Sequence, residues 1–313
     1  MSEEQTQDSG HVPMLYKLTL LGDAMREVLE AGGAPIVTQY TLFQEMRKLY
    51  KSGQKLWLRS PIPDKGDLER MRLQLRDAMV LTADRDFQVG VYRIVANGDR
   101  PAEDICGIVE PSCYISHLSA MARYGLTDRR SAKLHLTMPD LKTVKGIWQG
   151  IFEKDYTADE LNALSNTQIV PPSPRTTFPN IVRGQKIKVT RTSHPGTSTP
   201  LRGSYARIAS IGQVFCDMLE DTEACGGIKH VMEVWEEHAA VYLDEIIESI
   251  GNRPNKITKV RAGYLLDEFI GIKDARIQQW TKFAQRGGSS LLNPTARFEP
   301  IFSEKWMLSL NVN

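Results

Sequence analysis

Long apolar runs are missing from this chain. No stretch of 18 apolar residues occurs among its 313 positions, so the sequence predicts no transmembrane helix. Residues 1–13, MSEEQTQDSGHVP, carry neither a basic start nor an apolar centre. They read as a disordered lead-in rather than a secretion signal, and a cytoplasmic location is the expectation. Cysteine is scarce. Cys106 and Cys113 stand seven apart, Cys216 and Cys225 nine apart, and no C-x-x-C pair exists. Those spacings do not fit the usual zinc patterns, and each cysteine sits among apolar residues, so buried free thiols are expected instead of metal or disulfide. The six histidines form no i, i+4 pair for a metal, and no repeat of fixed period occurs.

Net charge is also small: 39 Lys and Arg against 38 Asp and Glu give +1. The distribution says more than the total. From Arg47 to Arg93 there are 11 Lys/Arg against 6 Asp/Glu, and from Arg175 to Arg207 there are 7 Lys/Arg and no acid. Two local positive segments in a neutral chain are two surfaces that can meet phosphate; a solvated face balanced by distant acids is the blander alternative for the second. With 41% hydrophobic and 25% charged residues, the chain has an ordinary globular composition and length enough for two domains.

The hydrophobic pattern predicts helices over Tyr16–Ala31 and Tyr40–Tyr50, with a short strand, Pro35–Thr38, between them. The proline-bearing connector LWLRSPIPDKG follows. Asp67 is expected to cap a third helix, with Leu68, Met71, Leu75 and Ala78 inward. Two strands, Val80–Thr82 and Val89–Val95, flank the tip ADRDFQ. Helix, strand, helix, helix, hairpin is the order of a winged helix. The polar stretch ANGDRPAED (96–104) marks a boundary. Beyond it the pattern is mixed: an apolar run near 105–115, a helix over Ser116–Tyr124, a strand AKLHLTMP, helical character from Asp140 to Asn166 with Thr157 as a second cap, and a four-proline loop, VPPSPRTTFPN. A strand QKIKVTRTSH and a loop PGTSTPLRGS come next. Ser210 and Gln213 read as a capping box for a helix burying Ile211, Val214, Phe215, Met218 and Leu219. Further helices are expected over Gly227–Ala240, Asp244–Ile250, Asn255–Gly271 and from Asp274 to Gln285, and FSEKWMLSLNV reads as an added edge strand. The fold class is therefore α+β: an N-terminal winged helix-turn-helix followed by a larger, helix-rich α/β domain. The expected divisions are 1–13, 14–96 and 104–313.

The third helix carries the strongest chemistry. A reading helix needs a donor-rich outer face, because Arg pairs with guanine and Gln with adenine in the major groove. Arg70, Gln74 and Arg76 supply such a face, Arg72 lies at its edge, and Lys65 stands at the entrance for phosphate. Arg85 and Gln88 at the wing tip are candidates for backbone or minor-groove contact, against which Asp84 and Asp86 count. Arg183, Lys186, Lys188 and Arg191 form a second phosphate or partner surface; the alternative is a cationic edge strand that resists aggregation. No active site is legible. Pro139-Asp140 lacks the rest of a nuclease signature. Ser116-His117 and Ser193-His194 are neighbours, which on a strand point to opposite faces. ACGGIK (224–229) lacks the Lys-Ser/Thr of a phosphate loop, and its glycines read as close packing at a helix start.

The segments YISHLSAMARYGL (114–126), RIASIGQVFCDMLEDTEACGGIKHVMEVW (207–235) and NRPNKITKVRAGYLLDE (252–268), with GVYRI (90–94) as a last wing strand, resemble the AbiEi antitoxin family of type IV toxin–antitoxin systems. These are packing motifs in the family's order and cover about half the chain. The chain departs from the family in its long connector and its expanded 140–180 region. The resemblance implies a non-enzymatic transcriptional repressor that binds double-stranded operator DNA and represses its own operon. It also implies an antitoxin that counters a co-expressed nucleotidyltransferase-like toxin without forming a stable complex with it. No cofactor, metal or membrane partner is implied, and a dimer or cooperative binding on DNA is left open. The competing readings are a nucleic-acid-processing enzyme with a nuclease-like C-terminal domain and a phage-defence adaptor.

Overall fold

The computed structural model describes residues 17–158, 160, 178–285 and 290–312. It is mixed α and β and divides into two compact units. The first comprises Met1–Asp99 together with Tyr156–Ser173, and the second Arg100–Asp155 with Pro174–Asn313. The lead-in 1–13 and most of the four-proline loop lie outside the described residues. Among the described residues, no helix is long and apolar enough to cross a membrane.

The first unit runs α1 (Leu20–Ala31), β1 (Ile36–Thr38), α2 (Gln39–Tyr50), α3 (Lys65–Asp77), β2 (Leu81–Ala83) and β3 (Val91–Ile94). Thr19 and Thr38 cap the first two helices, accepting from the backbone N–H groups of Gly22 and Thr41. The third helix begins earlier than the Asp67 cap expected for it. Asp64 is the cap, and Asp67 sits three residues in, accepting from the Asp64 N–H while Asp64 accepts from the Asp67 N–H. Two aspartates at this spacing satisfy two otherwise unpaired donors reciprocally, which neither does alone. The three strands form an antiparallel sheet in the order β1-β3-β2, with Thr38 opposite Val91 and Leu81 opposite Ile94. Met25, Phe43, Met46, Leu75 and Ile94 are buried in its core. Arg47 of α2 is buried with them. Its guanidinium meets Glu160 at 2.9 Å and lies 3.5 Å from the centre of the Tyr156 ring.

The second unit opens with α4 (Ala102–Val109), where the sequence suggested only an apolar run. This helix is only eight residues long, about two turns, which gives a 3.6-residue pattern too few positions to stand out in a window of about 11–18 residues. Then come β4 (Tyr114–Ile115), α5 (His117–Arg123), β5 (Lys133–Pro139), α6 (Leu141–Asp155), β6 (Ile181–Val182), β7 (Gln185–Thr192), β8 (Ser198–Pro200) and β9 (Arg207–Ala209). The six strands make one sheet in the order β6-β7-β5-β4-β9-β8. The β5–β7 and β4–β9 pairs are parallel, and the other three are antiparallel. Strand β8 falls inside the stretch read as a loop. It is short, polar and at the sheet's edge, where Pro200 is tolerated.

Helices α7 (Ile211–Glu220), α8 (Ile228–His238), α9 (Leu243–Asn252) and α10 (Lys256–Tyr264) follow. Ser210 accepts from the Gln213 N–H, but Gln213 does not close the expected box: its side chain donates to Asp217 instead, at 2.7 Å. At Gly212 a Cβ would lie 2.1 Å from the Glu245 carbonyl oxygen, so α7 and α9 cross at a contact only glycine permits. At Gly226 and Gly227 the requirement is positive φ, 96° and 89°, more than the close packing expected of them. Helix α10 passes into a π-turn, Leu265–Phe269, with Leu265 and Leu266 fully buried. A short α11 (Ala275–Gln278) and a 3₁₀ turn, Gln279–Phe283, complete the helical part. The tail does not extend the main sheet. Strands β10 (Phe302–Ser303) and β11 (Leu308–Ser309) pair with each other as a separate hairpin. All four cysteines are free and buried.

Phe215 of α7 is fully buried and meets the Trp235 ring edge-on, with centroids 5.2 Å apart. Phe215→Ala is expected to destabilise the second unit by about 3–5 kcal/mol. Equilibrium urea unfolding measures this, and a loss below about 1 kcal/mol would show that the cavity collapses freely.

Asp267, in the π-turn, anchors the tail. It accepts from Lys273 and Lys305, at 2.9 and 2.5 Å, and from the Trp306 indole N–H at 3.2 Å. Burial alone would raise its pKa, but the hydrogen bonds from Lys305, Lys273, Gln278 and Trp306 outweigh it and hold the carboxyl at about 2. A depressed folded-state value means stability that is present above the ordinary carboxylate value and lost as pH falls. Between about pH 4 and about pH 2 the wild type should lose stability more steeply than Asp267→Asn, which should be the less stable protein at pH 7. Parallel acid titrations followed by fluorescence of the five tryptophans test this; superimposable slopes would remove Asp267 from the account.

Candidate nucleic-acid interface

Helix α3 turns Leu68, Met71 and Leu75 inward and leaves Arg70, Leu73, Arg76 and Asp77 exposed. The expectation that Arg70, Gln74 and Arg76 share one side needs correction. At about 100° per residue, Arg76 lies roughly 120° round the axis from Arg70 and roughly 160° from Gln74. Gln74 is on the flank that faces α1. Its Oε1 accepts from the Thr19 hydroxyl at 2.9 Å, and a Cβ on Gly22 would come within 2.6 Å of the same oxygen. The opposite flank carries Lys65, Arg72 and Arg76 in one stripe, interrupted by Glu69. Arg72 is half-buried there, 6.0 Å from the Tyr92 ring on β3, so it braces the helix against the sheet.

Each arginine of α3 has an acidic partner on the same helix. Arg70 pairs with Asp67, Arg72 with Glu69 at 2.8 Å and Arg76 with Asp77 at 3.1 Å. Pairs this exposed contribute about 0–1 kcal/mol each, so they hold the side chains without closing the face to a stronger anion. Lys65, at the first position of the helix, is exposed.

The β2–β3 tip is built by Asp84. Its Oδ1 accepts from the backbone N–H groups of Asp86 and Phe87, both at 3.0 Å, while Phe87 plugs the core. Asp84 is only 2% exposed. It is a turn residue and does not present the surface charge that counted against this tip. Arg85 projects from the tip and pairs with Asp99 at 3.1 Å; Gln88 and Val89 are exposed beside it. The connector before α3 adds Trp57, which is 86% exposed at φ 52°. An aromatic flanked by Lys55 and Arg59 in a polar connector is the signal that identifies it, and motif spacing does not register it.

The second basic segment does not form one stripe. Arg183 and Gly184 are the two positive-φ residues of a tight hairpin turn between β6 and β7. Lys186 and Lys188 share a face of β7, whereas Arg191, an odd number of residues away, belongs to the other. Strand β7 lies between β6 and β5, but β6 pairs only with Gln185 and Lys186, while β5 runs along it from Lys186 to Thr192.

Two adjacent pairs that strand geometry was expected to separate are joined. His117 takes φ 50°, and its Nδ1 lies 2.8 Å from the Ser116 hydroxyl. His194 Nδ1 lies 2.9 Å from the Ser193 hydroxyl. Both pairs lie at or beyond strand ends, where the alternation rule does not apply. Asp140 is a helix cap: it accepts from the Thr143 N–H at the start of α6, and that bond lowers its pKa. Among the described residues no group of three or more His, Cys, Asp and Glu is arranged to hold a metal.

No family model and no curated protein matches this chain. Among solved structures, the chain is similar to the crystal structure of the RV2827C protein from Mycobacterium tuberculosis. The TM-score is 0.44 at 13% identity, over 94% of this chain and 92% of that one.

Gln74 is therefore expected to act on stability before recognition. Gln74→Ala should cost about 1 kcal/mol through loss of the Thr19 hydrogen bond. Denaturant unfolding of the full chain checks this, and a changed preference for adenine at unchanged stability would return Gln74 to the reading face.

Proposed function

We propose that this protein is a DNA-binding transcriptional repressor and antitoxin that acts by binding and not by catalysis. The observation that carries the first half is the element order of the N-terminal unit: α1, β1, α2, α3, β2, β3, with the sheet order β1-β3-β2. That is the order of a winged helix-turn-helix, with α3 in the position of the reading helix and the β2–β3 tip as the wing. Supporting it is the exposed donor set on and around α3: Lys65, Arg70 and Arg76, with Arg85 and Gln88 on the wing and Trp57 on the connector.

Arg70 and Arg76 read base edges in this proposal, and Lys65 holds phosphate. Arg72 contributes through the wing-side stripe. The antitoxin half rests on the resemblance of the 114–126, 207–235 and 252–268 segments to the AbiEi family. In that role the protein represses its own operon in the cytoplasm and opposes a nucleotidyltransferase-like toxin without a lasting complex. Arg183, Lys186 and Lys188 are a second surface for phosphate or an acidic partner.

The test is operator binding by the full-length protein across a salt series. Arg70→Ala and Arg76→Ala should each lose about 1–3 kcal/mol of discrimination at one base pair. Lys65→Ala should weaken all sequences alike and lower the salt slope by about one unit. Unchanged affinity and base preference in both arginine variants would remove α3 as the reader and direct attention to Trp57 and its connector. For the antitoxin half, co-expression with the product of the adjacent toxin gene should restore growth, and Phe215→Ala should abolish the rescue.

A further inference from the structure

A cavity of about 430 Å³ opens in the second unit at the C-terminal ends of the parallel strands β5 and β7. That volume lies in the range of small-molecule sites, and the carboxyl ends of parallel strands are where α/β sheets hold ligands. Its lining is polar and carries both charges. Asp217 of α7 lines it, only 5% exposed. The Asp217 carboxylate receives the Gln213 amide at 2.7 Å and the His117 backbone N–H at 3.4 Å, and it forms no ion pair. Burying a carboxylate without a cation is costly, and here burial raises its pKa. The nearby cation Arg253 is already committed, held to Glu220 and to the His194 carbonyl oxygen.

His117, at φ 50° and 4% exposed, also faces the cavity. A non-glycine residue in this conformation is uncommon, and buried examples gather at binding sites. Its ring is held by a chain of hydroxyls: Thr137 donates to the Ser116 oxygen at 2.8 Å, and that oxygen lies 2.8 Å from His117 Nδ1. The other ring nitrogen, Nε2, has no hydrogen bond to the described residues. Arg191, at the end of β7, donates to the Pro139 carbonyl oxygen at 3.4 Å and brings a positive charge to the same cavity.

We propose that this cavity binds a compact zwitterion, with its ammonium group on the Asp217 carboxylate and its oxyanion on the Arg191 side of the lining. The lining supplies a buried carboxylate outside any ion pair and a cation, and a ligand with both charges on one small skeleton meets both. Two sources share that chemistry: a free α-amino acid, with a carboxylate, and an amino-phosphate. Ligand binding at this site extends the repressor reading without depending on it, because every group lies in the second unit.

Isothermal titration of the full-length protein with the common α-amino acids and, separately, with phosphoethanolamine tests the proposal; acetate and methylammonium serve as single-charge controls. Saturable binding by at least one zwitterion is expected, with each control weaker by at least about tenfold. The arm that responds identifies the source. Arg191→Ala and Asp217→Asn should each weaken binding by about tenfold or more, with circular dichroism unchanged. If Asp217→Asn does not fold, Arg191→Ala, altered at an exposed strand end, decides alone. The proposal is overturned if no zwitterion saturates, if acetate or methylammonium binds as tightly, or if Arg191→Ala leaves affinity unchanged.

Discussion

The N-terminal unit depends on a buried ion pair, Arg47 with Glu160. Arg47 sits on α2, the helix that packs against α1, β1 and α3, and its side chain is almost wholly removed from water. A guanidinium in that position needs a counter-ion, which the Gln44 amide oxygen it meets at 2.6 Å is not. Glu160 provides it, 113 positions away. Burial would raise the Glu160 pKa, yet hydrogen bonds from Lys51, the Thr157 N–H and Arg47 outweigh it and hold the carboxyl at about 2. Thr157 and Glu160 also cap one another's backbone, and the Tyr156 hydroxyl accepts from Gln44. Breaking a buried pair by removing one partner typically costs about 3–5 kcal/mol, because the survivor is left unpaired. The chain therefore leaves the first unit at Asp99, builds part of the second, and returns to supply a charge that α2 requires.

This return explains what the sequence does and does not disclose. Periodicity places α1, α2 and α3 to within a few residues, because each has one apolar face against one core. The buried thiols and the inward Phe215, Leu219, Leu265 and Leu266 follow from the same logic. Arg47 reads in the sequence as one more surface cation in a basic segment. Nothing local distinguishes it, since its burial is decided by a partner more than a hundred residues on. Helix α4 is hidden for a different reason: at eight residues it is too short for a helical period to show. The placement of Gln74 and Arg76 on opposite flanks of α3 was available from helical geometry alone, but composition drew attention to the donors rather than to their angles.

The donor face of α3 also has an electrostatic character that residue counts obscure. Three arginines and a lysine stand against Asp67, Glu69 and Asp77 on the same thirteen residues. In isolation the helix is close to neutral, and each arginine is held to a neighbouring acid. A phosphate or a guanine edge must exchange with those acids. The exchange is inexpensive because the pairs are solvent-exposed, but it makes attraction at long range weak. Such a surface favours discrimination at contact over non-specific accumulation on a polyanion. Its positive flank runs from Lys65 through Arg72 to Arg76, and at Arg72 it lies beside the Tyr92 ring of β3.

The second unit solves its polar burial differently. Glu220 and Arg253 neutralise each other, and Thr258 adds a hydroxyl to the same carboxylate. His135, 5.9 Å from His117 between ring centres, is kept neutral: burial, then His117 and Lys188, push its pKa down to about 4. Each of these groups is either paired within the protein or discharged. Asp217 forms no ion pair with a described residue and lines the cavity. The same stretch of chain holds His117 in an unfavourable backbone conformation that places its N–H on that carboxylate. An apolar residue at 217 or a glycine at 117 would remove either feature, since well-packed apolar replacements of buried charges are commonly neutral or stabilising. Both stand at the carboxyl ends of β5 and β7, where the proposed ligand would bring Asp217 the cation that the described residues do not.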